Sequence, residues 1–193
     1  QTPWSTRPLQ LLTHGLNPCS AQLPLTRDHF MNIFFDTEFT GLNSDPRLLS
    51  LGLVTDDGHE LYLELTDGWS DAMCSPWVRQ HVLPLLGQGE RLTRKEAGPR
   101  IIDWLSSFST PTTLVGDTDW DTTLLANLMD ECGMDRGSYR IELIRYSSKA
   151  QAMEFEDAKR AYFESQNAVP HHALTDARAF QMAWKLVISP QPR

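Results

Sequence analysis

Apolar residues fall at two different periods along this chain. Asn32 to Asp36 carries the run Ile33-Phe34-Phe35 and reads as a short strand, Leu48 to Val54 as a second, and His59 to Leu65 as its returning partner across the turn Asp56-Asp57-Gly58. The succession predicts three antiparallel strands. Ser75-Pro76 then supplies a cap and a first-turn proline for a helix through Trp77, Val78, His81 and Val82, which Pro84 bends or ends. A helix over about Thr93 to Phe108 puts Ile101, Ile102 and Leu105 on one face. Thr112 to Gly116 is a β-branched strand, and Trp120 to Cys132 is a helix with Leu124, Leu125, Leu128 and Met129 at helical spacing, stopped by Gly133. Tyr139 to Ile144 alternates as a fifth strand, Ser148 to Gln166 is a polar helix, and Ala173 to Val187 is a final amphipathic one. This order predicts an α/β fold: a mixed five-stranded sheet, three antiparallel strands then two parallel, with helices on both faces.

Residues 1–30 follow neither period. They hold Pro3, Pro8, Pro18 and Pro24, several Ser and Thr, and a single acid, Asp28. They read as a disordered or non-native extension, with Met31 as a natural start, residues 31–188 as one domain and residues 189–193 as a tail. No stretch approaches the ~20 apolar residues that cross a bilayer, so no membrane is expected. The three cysteines, Cys19, Cys74 and Cys132, lack C-x-x-C spacing and form neither a disulfide framework nor a thiolate zinc set. A reducing cytoplasm fits that usage.

The formal charge of -8 argues against a protein that grips phosphates through a basic surface. Its chemistry begins at Asp36-Thr37-Glu38, where a strand throws two carboxylates to the same face. Such a pair is either solvated at a strand end or shares a hard cation such as Mg²⁺ or Mn²⁺. Further acids lie in Gly116-Asp117-Thr118-Asp119-Trp120-Asp121, where capping a helix accounts for Asp117 and Asp119, while Asp121 either caps or faces the ends of the strands. Asp176 opens the last helix, five residues after His171. Pro170 marks a boundary, so His171 on the loop and Asp176 on the helix are able to face one cleft; the alternative is a surface loop. Acids with one histidine suit metal-assisted hydrolysis of a phosphodiester by two ions, with the imidazole as general base.

The order D-x-E, then D, then H-x-x-x-x-D resembles the DEDDh family of 3′ to 5′ exonucleases. Asp36-Thr37-Glu38-Phe39-Thr40-Gly41-Leu42, Trp120-Asp121-Thr122-Thr123-Leu124-Leu125 and His171-His172-Ala173-Leu174-Thr175-Asp176 look like its three motifs. Trp77 to Pro84 is similar to the small stand-alone bacterial exoribonucleases of that superfamily. The resemblance implies a ribonuclease-H-like fold and hydrolysis from single-stranded RNA or DNA 3′ ends, RNA favoured, releasing nucleoside 5′-monophosphates. It implies that Asp36, Glu38 and Asp176 bind one ion, that Asp121 holds a second sharing Asp36, and that His171 is the base. It also implies that Phe39, Thr40, Gly41 and Leu42 cradle the terminal nucleotide, and that the chain forms a homodimer. The motif departs from the family where Asp117-Thr118-Asp119 replaces the usual Asn-Ala before the second aspartate, leaving Asp119 as a rival to Asp121. A catalytically inactive binding module of the same fold is the alternative of a different class.

Overall fold

The computed structural model describes residues 30–134 and 139–189. The extension expected over residues 1–30 therefore lies outside the described residues, apart from Phe30, and so do residues 190–193.

Strand β1 (Met31–Phe39) pairs antiparallel with β2 (Leu48–Thr55), and β2 antiparallel with β3 (Glu60–Leu65). On the other side β1 runs parallel to β5 (Thr112–Gly116), which runs parallel to β6 (Arg140–Leu143). A further strand, β4 (Glu90–Leu92), lies parallel to the outer edge of β3, so the sheet has six strands in the order β4-β3-β2-β1-β5-β6, not five. Three residues of polar, partly exposed chain are too few to display a two-residue alternation, which is why β4 is silent in the sequence. The three-antiparallel, two-parallel arrangement of the other strands is as expected.

Among the described residues five α-helices flank the sheet: α1 (Pro76–His81), α2 (Arg94–Ser106), α3 (Asp119–Glu131), α4 (Lys149–Gln166) and α5 (Ala173–Ala183). Each start has a local cause. Ser75 Oγ accepts from Val78 N above α1, and Thr93 with Glu96 forms a reciprocal capping box at α2. Thr118 and Ser148 cap α3 and α4 in the same way. The last helix is shorter than its amphipathic pattern predicts. Its regular part ends at Ala183 and continues as a π-helical turn, Trp184–Ile188.

All eight residues of β2 are buried, as a central strand covered on both faces requires. One face carries Ile33, Phe35, Leu51, Leu53 and Leu63 against Ile101, Leu125 and Met129, which belong to α2 and α3. The other carries Phe34 and Val115 against Phe155 and Phe180 of α4 and α5, with Phe34 edge-on to Phe180 at 5.3 Å. The parallel pairing of β1 with β5 ends at Phe35 and Gly116. Beyond that point β1 continues to Phe39 along β2 alone, and a crevice opens past the carboxyl ends of two parallel strands. Among the described residues no helix is long and apolar enough to cross a membrane.

Candidate active site

Asp36, Glu38, Asp121, Asp176 and His171 all line one cleft of about 840 Å³ in that crevice. Three segments of chain supply them. Asp36 and Glu38 share a face of β1 because they are two residues apart. Asp121 stands in the first turn of α3, and Asp176 in the first turn of α5. Both helices therefore aim the partial positive charge of their N-termini at acidic side chains.

The groups sort into two trios. Glu38, His171 and Asp176 offer ligand atoms within 4.8 Å of one another, and so do Asp36, Asp117 and Asp121. Asp117 corrects the sequence reading, which left it to helix capping. Thr118 is the residue that caps α3, and Asp117 turns into the cleft instead. Asp119 sits exposed in the first turn of α3 and belongs to neither trio.

Asp121 is held from below. Its Oδ1 accepts from Thr37 N at 3.0 Å and from Thr37 Oγ1 at 2.6 Å, and its Oδ2 accepts from Thr118 Oγ1. Thr37, the residue between the two carboxylates of β1, points to the opposite face and so locks the third. The seat of α5 is set by Gly52. A Cβ there would lie 2.4 Å from backbone atoms of Ala173 and Leu174, so only glycine lets the helix start rest directly on β2. A bidentate pair, Arg178 to Glu60 at 2.6 Å for both bonds, ties the same helix to β3.

His171 occupies the left-handed region with φ 68°, an uncommon conformation for a residue with a side chain. Its N–H donates to Asp176 Oδ2 at 2.8 Å, which holds the loop against the helix. The two neighbouring histidines part company there. His171 meets Trp77 edge-on at 4.6 Å inside the cleft, whereas His172 turns away and lies over Tyr62 at 4.4 Å.

Four acids crowded in a half-buried crevice resist ionisation. Burial, followed by repulsion from Asp176 and Asp121, pushes Glu38 up to about 8. Burial pushes Asp176 up to about 7 despite the hydrogen bond from His171, and it raises Asp36 well above the usual carboxylate range, with Asp121, Asp176 and Glu38 adding to it. Burial also raises Asp121, opposed by its bonds from Thr118 and Thr37. His171 is lowered, by burial first and by His81 second.

These shifts make a prediction for the metal-free protein. Carboxylates whose folded values lie above their unfolded ones hold protons that the unfolded chain has released, so stability is full below about pH 4 and is lost as pH rises towards 8. The melting temperature in chelator should fall across that window, recover on addition of Mg²⁺ at the alkaline end, and fall less steeply in Glu38→Gln. A flat profile in chelator would mean that neither burial nor crowding raises these carboxyls.

Of the residues expected to cradle a nucleotide, Phe39, Gly41 and Leu42 line the cleft, and Leu42 is 75% exposed. Thr40 does not line it. Its side chain is fully buried, its N–H and C=O are taken by Arg47 O and Ser75 N, and its Oγ1 accepts from Arg47 N. It fixes the turn, and its N–H is not free for a ligand. Trp120, the aromatic that opens the second motif and to which the sequence gave no role, lines the cleft stacked on Phe39 at 6.1 Å; the motif reading missed Phe163 of α4 and Lys159, whose Nζ donates to Asp117 Oδ2.

No family model matches the chain. Two curated proteins from two strains of Mycobacterium tuberculosis, each named a 3′-5′ exoribonuclease, are 41% identical to it over 56 residues, 29% of this chain and 33% of each of theirs. The match thus spans about a third of the length of those relatives. A solved structure described as 3′-end specific recognition of histone mRNA stem-loop by 3′-exonuclease is similar with a TM-score of 0.48 and 11% identity, over 82% of this chain and 65% of that one. The resemblance to 3′-5′ exonucleases read from the sequence is borne out by the curated relatives.

Proposed function

We propose that residues 31–188 form a metal-dependent 3′-5′ exonuclease of the DEDDh type that removes nucleoside 5′-monophosphates from single-stranded 3′ ends, RNA in preference to DNA. The observation that carries this reading is the meeting of Asp36, Glu38, Asp121, Asp176 and His171, drawn from three distant segments, in one cleft. The residues suit divalent ions. Their donors are carboxylate oxygens with one imidazole, gathered in two trios, and burial with repulsion among the acids raises Asp36 and Glu38 above the usual carboxylate range, a cost that a bound cation would relieve. Glu38 and Asp176 would hold one ion and Asp121 with Asp36 the other. When bound, Mg²⁺ or Mn²⁺ would acidify a water and offset charge on the phosphate.

The chain's own groups do the remainder. His171, neutral near pH 7 because burial lowers it, accepts a proton from the water as the water oxygen bonds to phosphorus. The bond from phosphorus to the 3′ oxygen of the penultimate nucleotide breaks, and that oxygen takes up a proton from solvent, leaving a 5′-monophosphate and a new 3′ hydroxyl, while the proton on His171 returns to solvent. Asp176 keeps the His171 loop in place through the backbone N–H. Phe39, Trp77, Trp120 and Phe163 give the walls aromatic faces suited to unstacked bases, which is how single strands are held without reading their sequence. The RNA preference is supported by the names of the curated relatives. It requires a contact to the 2′ hydroxyl.

The deciding experiment incubates matched end-labelled RNA and DNA oligomers with Mg²⁺, Mn²⁺ or chelator and resolves the products on a gel. A ladder shortening from the 3′ end with metal alone is expected, faster on RNA. Faster cleavage of DNA would leave a DNA-specific exonuclease, equal rates would remove the RNA preference, and no cleavage with bound oligomer would leave a non-catalytic module. A further expectation separates the histidines. His171→Asn should lower turnover by about 10²–10⁴ with Mn²⁺ affinity little changed, the usual contribution of a general base. His172→Asn should act on stability through its contact with Tyr62. Equal losses of turnover would mean that His171 is not the base.

A further inference from the structure

We propose that Lys159 is a positioning residue of the ion site: a tethered cation that engages Asp117 and thereby weakens the hold of the Asp36, Asp117 and Asp121 trio on a divalent ion. This rests on the metal-dependent reading above. Lys159 comes from the middle of α4 and reaches across 42 residues of sequence to Asp117, just beyond the end of β5. The pair is sheltered, with side chains 20% and 13% exposed, and Glu156 stands 3.8 Å from the same ammonium. Among the described residues lining the cleft, Lys159 is the one lysine or arginine.

The consequence follows from charge and donor count. Asp117 has a ligand atom within 4.8 Å of those of Asp36 and Asp121, so the three are spaced to share one cation. Its Oδ2 is already committed to the ammonium. An incoming divalent ion is left with Oδ1 or shares Oδ2 with the ammonium, and in either case it is repelled by a fixed positive charge nearby. With no ion bound, the same charge offsets part of the repulsion among the acids. The sequence reading gave Asp117 to capping and gave Lys159 no role, because the two meet only in the folded chain.

A simple staple between α4 and the end of β5, or a direct contact to the substrate phosphate, would leave different marks. Mn²⁺ binding to the full chain, measured by calorimetry without nucleic acid, tells them apart. In Lys159→Met the Mn²⁺ dissociation constant is expected to fall by roughly tenfold, the scale of removing a unit charge beside a divalent ion in a partly solvated site. The metal-free melting temperature should fall in the same variant. Lys159→Arg should stay near the wild-type constant, and the double variant Asp117→Asn with Lys159→Met should return towards it, since the pair is then removed with no net change of charge. Should Lys159→Met not fold, Lys159→Gln carries the same expectation for affinity.

An unchanged or weaker Mn²⁺ affinity in the folded variant overturns the proposal. Loss of stability alone would then assign a staple, and a raised KM for RNA would assign a phosphate contact. Wild-type protein that takes up no Mn²⁺ overturns both this role and the metal-dependent reading, whereas wild-type uptake that ignores Lys159 overturns this role alone.

Discussion

Asp36→Ala is expected to abolish Mg²⁺-dependent cleavage while leaving the metal-free protein folded and, at pH 8, no less stable than the wild type. Both halves have the same cause. Asp36 lies on the same face of β1 as Glu38 and close to Asp117 and Asp121, and burial with four acidic neighbours raises its carboxyl well above the usual range. Without ions that carboxylate is a liability to the fold, since its ionisation must be suppressed or endured. With ions it is a donor that alanine cannot replace. Cleavage should drop by roughly 10³-fold or more, because stabilisation of developing charge by bound ions is worth several kcal/mol at tenfold per about 1.4 kcal/mol. Single-turnover cleavage of labelled RNA and melting in chelator measure the two effects separately. Normal cleavage by Asp36→Ala would remove the foundation of the assignment, and a collapse of melting temperature would make Asp36 a structural residue.

Gly52→Ala should damage the site without touching any group that lines it. The added Cβ would lie 2.4 Å from Ala173 C, Leu174 Cα and Leu174 N, which are backbone atoms with no rotamer to yield. Either β2 or the start of α5 must move, and α5 carries Asp176 and begins two residues after His171. Overpacking of this kind costs about 1–3 kcal/mol or more. A shift of about 1 Å in groups that must meet a reacting phosphate costs on the order of 10² in rate. Urea unfolding gives the first quantity, and cleavage per folded molecule gives the second. A Gly52→Ala protein with wild-type stability and rate would show that α5 is not seated on β2 in this way.

The difference between these residues is also a difference in legibility. That Asp36 and Glu38 share a face was legible, because residues two apart on a strand point the same way, though the pair by itself fitted a solvated strand end as well as a cation site. His171 and Asp176 were legible as neighbours across a proline boundary, though nothing local foretold the left-handed backbone at His171 or its N–H bond to Asp176. Gly52 was invisible as a seat for α5. In sequence it is one residue of a buried strand, and its partner lies more than a hundred residues away. Asp117 was misread for a related reason: acids before a helix usually cap it, and here Thr118 does so, releasing the aspartate to the cleft.

By itself the sequence determined the five longer strands and the place of the five helices, since apolar period is a local property of neighbouring residues, and it determined which side chains had metal and proton chemistry to offer. The tertiary structure decided which of them meet. Thr37 locks Asp121 across 84 residues and Lys159 engages Asp117 across 42. The short β4 exists only because β3 offers it an edge. Contacts between distant segments are selected by packing and burial of the whole chain, and these leave no periodic trace in the stretch of sequence on either side.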